Sequence, residues 1–454
     1  MIMKKALIIF LLCLGFPLFA EYNHLSIPDS SEIRAMLEES WFNASLTNVR
    51  NNKPEIYSSP DGTLFQVRLE ETERDFCIFV SPHAIIKVDV YSDLGKYTMD
   101  QDVYPGDAAG SWELIKDKAT GKTKFIRYFF LRDGDVYLQF SPGNNKSNSY
   151  ADLVIFGHYA ARGVSTGIPF NQFYTASFEK ACEITRKILP WNFVEIDVNA
   201  YDGVKQMIGM IDEKLPSIIY TEDAMYDGEG NLVSIGNGKP LNIEDYDPTL
   251  KYLSSAGFVK WISDGIVVPI AGSNLEREPL LEETVTVKDT GHLGVLSQKY
   301  SLYFALNWVR NLSSAVVSVS TGTTYKFNQS GVDVTDMPFS ATMTSRGLEN
   351  PVPFIADSGY KIEMLKSLMY VLGNKEKDSF YVGAIRETDR RSTPEVNVFN
   401  NCAAFFPYFD ATGKFECVVY MNAKKMSLEE FMYLYSDSFV YLTRQKATER
   451  FFPE

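Results

Sequence analysis

Histidine is nearly missing from this chain: four residues in 454, at positions 24, 83, 158 and 292. Cysteine is almost as sparse, with five residues, no CxxC pair and no companion histidine cluster. That scarcity leaves no zinc-type ligand set legible. Long basic clusters are also lacking. Lysine and arginine total 44 against 58 acidic residues, a formal charge of −14. Such a surface repels nucleic acid and anionic lipid, so neither is expected as a partner. No Gly-rich phosphate loop, Walker sequence or dinucleotide fingerprint is present, and no cofactor is expected. After residue 20 no apolar run approaches the roughly 20 residues that cross a bilayer, so no transmembrane segment is expected.

What is there begins with a leader. Lys4 and Lys5 precede an apolar run from Ala6 to Phe19, followed by Ala20 and polar residues. This is the order of a secretory signal peptide, with cleavage after Ala20. The residues before Cys13, Phe10-Leu11-Leu12, lack the small side chain a lipidation site needs. The expected location is therefore outside the cytoplasm, periplasmic or extracellular. Export permits disulfides. Cys402 and Cys417 lie on two runs that read as hairpin partners, which admits a bridge, but their apolar neighbours favour buried thiols.

With 45% hydrophobic and 14% aromatic residues the chain can build full cores. The expected class is α+β, in three parts after the signal peptide at 1–20. The first, 21–165, opens with a helix that Ser31 can cap and Ile33, Met36 and Leu37 stripe. Runs such as LFQVRLEE, FCIFVS and FIRYFFLRDGDVYLQF follow, β-branched and aromatic, with Asp133-Gly134 as a hairpin signal. They predict an antiparallel β-domain, a sandwich or a curved sheet. The second part, 166–245, reads as a helical linker. One helix runs from Phe178 to Pro190 and another from Val204 to Pro216, before YDGEGNLVSIGNGKP. That acidic, Gly-rich string lacks EF-hand spacing and predicts paired β-turns rather than a calcium loop.

The third part, 246–454, predicts a short helix over 256–264 and a second over 358–372. Four strands follow, in SFYVGAIR, VFNNCAAFF, FECVVYM and FVYLTR. DATGK is a hairpin turn, and Ser427 with Glu430 has capping-box spacing for one more helix.

The stretch YLSSAGFVKWISDG, residues 252–265, resembles the active-site segment of the NlpC-type cysteine peptidases, which cleave peptide links in bacterial peptidoglycan. The resemblance implies a papain-like α+β domain with an antiparallel sheet. In that family a cysteine opens a helix packed on the sheet, and a histidine on a strand is its base. The helix N-terminus lowers the thiol pKa, the histidine takes the proton, and backbone N–H groups hold the oxyanion. Aligned on Gly257-Phe258-Val259, the nucleophile position falls on Ser255. A serine hydroxyl is far less acidic than a thiol, and a helix end offers only about 0.3 to 2 kcal/mol. The plain alternative for Ser255 is a helix N-cap.

Two positions compete for the base. His292, in TGHLGVLS, resembles the family's base strand. In VNVFNNCAAFFPYF the family histidine falls on Asn401, and asparagine is no base at neutral pH. Cys402 beside it reads as a buried, inert thiol. The resemblance covers about 200 residues and leads to an exported protein with a degenerate NlpC-like domain that binds cell-wall peptides or a partner protein. A working hydrolase using Ser255 with His292, and a structural envelope assembly protein without a small ligand, are the rival expectations.

Overall fold

The computed structural model describes residues 27–92, 95–285, 302–391, 393 and 395–453. The leader and His292 lie outside the described residues. Helix α1 (Ser31–Leu37) runs on into one π-helical turn over Glu38–Phe42, and α2 (Leu46–Val49) follows. The α1 cap differs from expectation. Ser31 is already helical, and Ser30, at the cap position, makes no side-chain cap bond. Asp29 takes over: its Oδ1 accepts the N–H groups of Ser30 and Ser31 at 2.6 and 3.1 Å. A carboxylate satisfies the orphan donors of a helix start and complements its dipole.

Ten strands come next: β1 (Glu55–Ser58), β2 (Leu64–Glu71), β3 (Asp75–Pro82), β4 (Ala84–Ser92) and β5 (Gly95–Val103). They continue as β6 (Trp112–Asp117), β7 (Thr123–Phe129), β8 (Val136–Pro142), β9 (Ser149–Ile155) and β10 (His158–Ser165). Asp133-Gly134 lies in the β7–β8 connection, as expected, but that connection spans residues 130–135 and neither residue has the positive φ of a tight two-residue turn. The strands form one antiparallel sheet, β1-β2-β3-β6-β7-β8-β9-β10, from which β4 and β5 depart as a separate two-stranded ribbon. Side chains at period two, among them Phe76, Ile78, Val80, Trp112, Leu114, Ile126 and Leu138, are fully buried. Helical segments rather than a second sheet cover that face. Phe42 packs on Trp112 at 4.9 Å between ring centroids, and Phe173 stacks on Phe140 at 3.8 Å.

The middle of the chain holds α3 (Phe178–Thr185), α4 (Asp202–Lys214), β11 (Ile218–Tyr220), β12 (Ala224–Tyr226), β13 (Leu232–Ser234) and β14 (Lys251–Leu253). β12 and β13 form the expected hairpin over YDGEGN. The Asp227 carboxylate serves that turn, accepting the N–H groups of Glu229 and Asn231 at 3.0 and 2.8 Å.

The remainder comprises α5 (Ser255–Ala271), α6 (Arg277–Leu280), α7 (Phe304–Thr321), α8 (Phe327–Ser330), β15 (Ala341–Thr344), β16 (Gly347–Glu349), β17 (Tyr360–Lys361) and α9 (Leu365–Lys375). It closes with β18 (Ser379–Asp389), β19 (Val396–Phe409), β20 (Phe415–Met421), β21 (Lys424–Ser427), α10 (Leu428–Leu434) and β22 (Phe439–Lys446). A second antiparallel sheet has the order β17-β22-β18-β19-β20-β21. The β15–β16 hairpin instead joins the first sheet at β10, with His158 opposite Thr342, making it ten-stranded. The fold is α+β.

α9 starts later than its periodicity suggests. Gly359 has φ +90, and a Cβ there would sit 2.1 Å from Val440 O, so the chain enters β17 against β22 before it can coil. The second sheet is covered on both faces. Phe406 and Phe258 of α5 both flank Tyr420, at 5.7 and 6.4 Å between ring centroids. On the other face Phe405 meets Phe431 of α10 at 5.0 Å, and Phe409 meets Tyr370 of α9 at 5.1 Å. Cys402 lies opposite Ala384 and Cys417 opposite Pro407, so register keeps the two thiols apart; both are free and buried.

Candidate functional site

The segment YLSSAGFV enters α5 from β14. Ser254, not Ser255, is the N-cap: its Oγ accepts the Gly257 N–H at 3.1 Å and donates to Ala224 O at 3.0 Å. The cap reading of Ser255 is thereby corrected by one residue. A cap needs extended backbone, which Ser254 has (φ −77, ψ 177), whereas Ser255 is the first residue of the helix. Gly257 allows the β12 hairpin to touch the helix, since a Cβ there would lie 2.2 Å from Ala224 O. Phe258 and Val259 are fully buried. The Trp308 indole of α7 donates to Ala256 O at 3.0 Å and locks the first turn. Each letter of the resemblance therefore has a local packing role.

Ser255 faces β19. The β19–β20 ladder begins at Ala404 opposite Tyr420, so the Cys402 N–H lies beyond it. Ser255 Oγ accepts that N–H at a long 3.4 Å. Ser255 is only 5% exposed and Cys402 is fully buried. Desolvation raises the Cys402 thiol well above its usual range, which makes it a poor nucleophile.

Asn401 does not join Ser255. Pairing with β18 is regular from Asn401 to Phe405, so strand alternation turns Cys402, Ala404 and Phe406 toward α5 and Asn401, Ala403 and Phe405 toward α10. The Asn401 amide donates to Glu387 Oε2 at 2.9 Å on that far face. His292 lies outside the described residues. The two described histidines are engaged elsewhere: His83 Nε2 pairs with Asp102 at 2.7 Å, and His158 Nδ1 lies 2.8 Å from Ser367 Oγ.

A cleft of about 110 Å³ runs along the side of α5 turned away from β19, bordered by Leu253, Gly257, Lys260, Trp261 and Asp264. Ser255 does not border it. Its floor carries a buried ion pair, Lys260 to Asp264 at 2.7 Å. Lys260 also donates to Tyr226 O at 2.9 Å, and Asp264 Oδ1 accepts the Leu275 N–H at 2.9 Å. Burial pushes the Asp264 carboxyl up, and Lys260 opposes that shift. The pair ties α5 to the β12 hairpin and to the chain after α5. Two opposite charges four apart in an otherwise apolar helix were its only sequence signal.

A family model described as a domain of unknown function, DUF8515, matches residues 23–193. That span holds α1, β1 to β10 and α3, and ends before α4. No curated protein and no solved structure matches the chain.

Proposed function

We propose that this is an exported, non-catalytic envelope protein whose C-terminal region keeps an NlpC-like, papain-like frame and acts by binding a partner protein. One observation carries the reading: at the nucleophile position Ser255 Oγ is turned into the sheet against the Cys402 N–H and is almost without solvent contact. A nucleophile must meet its substrate with a base in hydrogen-bond reach. Here the base position on β19 holds Asn401, bonded to Glu387 across the sheet. A first turn closed by its own strands leaves little room for a cell-wall peptide, which favours a protein partner over a peptide ligand. The helix on an antiparallel sheet supports the resemblance, and the apolar leader supports export.

The test is incubation of the mature protein with peptidoglycan peptides, read by mass spectrometry. No peptide release is expected. Release that disappears in Ser255→Ala would overturn the reading in favour of a serine hydrolase, and its loss in His292→Ala as well would identify the base.

A further inference from the structure

The β4–β5 ribbon is the one extended element of the described chain that leaves its sheet. Nine residues on each side pair only with each other, from Ala84↔Val103 to Ser92↔Gly95. Alternation gives the ribbon two unlike faces. Ala84, Ile86, Val88 and Val90 with Val103, Met99 and Tyr97 form most of one, with Gln101 among them. Lys87, Asp89, Lys96, Thr98, Asp100 and Asp102 lie on the other, with the exposed Ile85 and Tyr91 at its two ends. Ile86, Tyr97 and Met99 are 44%, 52% and 47% exposed, an unusual outlay of apolar surface. An isolated two-stranded ribbon is marginal in water, and both of its outer edges carry unpaired N–H and C=O groups. Those open edges exclude burial in lipid, where every backbone group needs a partner. An occupant that supplies a strand would pair those edges.

We propose that the occupant is β4 of a second copy of this chain, paired antiparallel about a two-fold axis at Val88. In that register Lys87 faces the second copy's Asp89, Ile86 faces Val90, and Ile85 faces Tyr91. Symmetry makes each contact twice. Charges complement and apolar side chains meet along the whole edge, which is the pairing that stabilises sheets. A residue-centred axis also pairs odd positions with odd and even with even, so outward-facing backbone groups meet outward-facing groups. Within its own chain Asp89 is held by Lys96 at 2.8 Å and by Thr98 at 2.8 Å. Lys87 has no ion-pair partner among the described residues and is available to the second copy. β5 offers a weaker edge: its corresponding register also makes a charge pair, Lys96 against Asp102, but that lysine is already held by Asp89 of its own chain, and the register sets Tyr97 against Gln101 and Thr98 against Asp100. A nine-residue strand is about 30 Å long, so the contact is small and the dimer should be concentration-dependent.

Sedimentation of the mature full-length protein over a concentration series tests this. A monomer–dimer equilibrium is expected. Lys87→Asp alone and Asp89→Lys alone each create two like-charge pairs and should raise the dimer dissociation constant about tenfold. An equimolar mixture of the two variants should dimerise again, because each then faces its opposite charge. That recovery separates a lost interface from a misfolded ribbon. A monomer at every concentration would overturn the proposal and leave Lys87 and Asp89 as charges that guard an exposed edge. A dimer indifferent to both substitutions would overturn it too, since another surface would then be holding the copies together.

Discussion

Two serines in this protein meet contrasting neighbours. Ser255 sits where the resemblance expects a nucleophile, at the start of α5, and its hydroxyl meets a backbone N–H. Ser367, on α9, was not singled out by any pattern, yet its Oγ lies 2.8 Å from the Nδ1 of His158 on β10. One region has the helix-on-sheet frame without a base among the described residues. The other has the hydroxyl–imidazole contact without a frame. Ser367 is 1% exposed and His158 6%, and His158 Nε2 is buried without a hydrogen-bond partner among the described residues. Substrate cannot reach either, so this contact works as a joint between the first sheet and α9. Nucleophilic catalysis needs hydroxyl, base, access and oxyanion donors in one place, and having some of them in each of two places does not add up to it.

The comparison breaks most severely beneath α5. Lys260→Met leaves Asp264 buried without its counter-charge, and a loss of about 3–5 kcal/mol is expected. Chemical denaturation would read it as a lower midpoint at unchanged slope. The double variant Lys260→Met with Asp264→Leu should recover most of the loss, because no unpaired charge then remains in the apolar site.

The His158 joint is sharpened by pH. Burial lowers the His158 pKa below its ordinary 6.5. The unfolded chain therefore binds a proton that the folded chain refuses, and stability falls as pH drops through about 6.5. Melting temperatures between about pH 7 and 5 should fall more steeply for the native protein than for His158→Phe. Equal slopes would refute the assignment of that step to His158.

The smallest effect separates the two adjacent serines at the helix start. Ser254→Ala removes the N-cap bond and its bond to Ala224 O, and should cost about 1–2 kcal/mol. Ser255→Ala loses one long hydrogen bond and should cost at most about 1 kcal/mol. A larger loss at Ser255 than at Ser254 would contradict the cap geometry.

Much of this architecture is legible one segment at a time. The four C-terminal strands, the helix after Ser427 and the YDGEGN turn follow from alternation, turn residues and caps, which act over a few neighbours. Ser427 Oγ does accept the Glu430 N–H, at 3.1 Å. The site is less legible. The offset between Ser254 and Ser255 is a single residue, and propensity treats two adjacent serines alike. Asn401 and Cys402 are neighbours in sequence, but strand geometry sends them to opposite faces, and only the packing of Phe405 on α10 says which face is which.

The sequence by itself determined the α+β class, the order of most elements and the alternation that buries one face of each sheet, because periodicity and turn chemistry are local. Tertiary structure alone decided that β15 and β16 extend the first sheet, that Gly359 delays α9, that Lys260 and Asp264 pair in the dark side of α5, and that Ser255 points at a backbone amide rather than a base. Lys260 and Asp264 are four residues apart, but their burial beneath the β12 hairpin, like the other three features, depends on segments brought together from positions tens to hundreds of residues apart, whose closeness no local preference encodes.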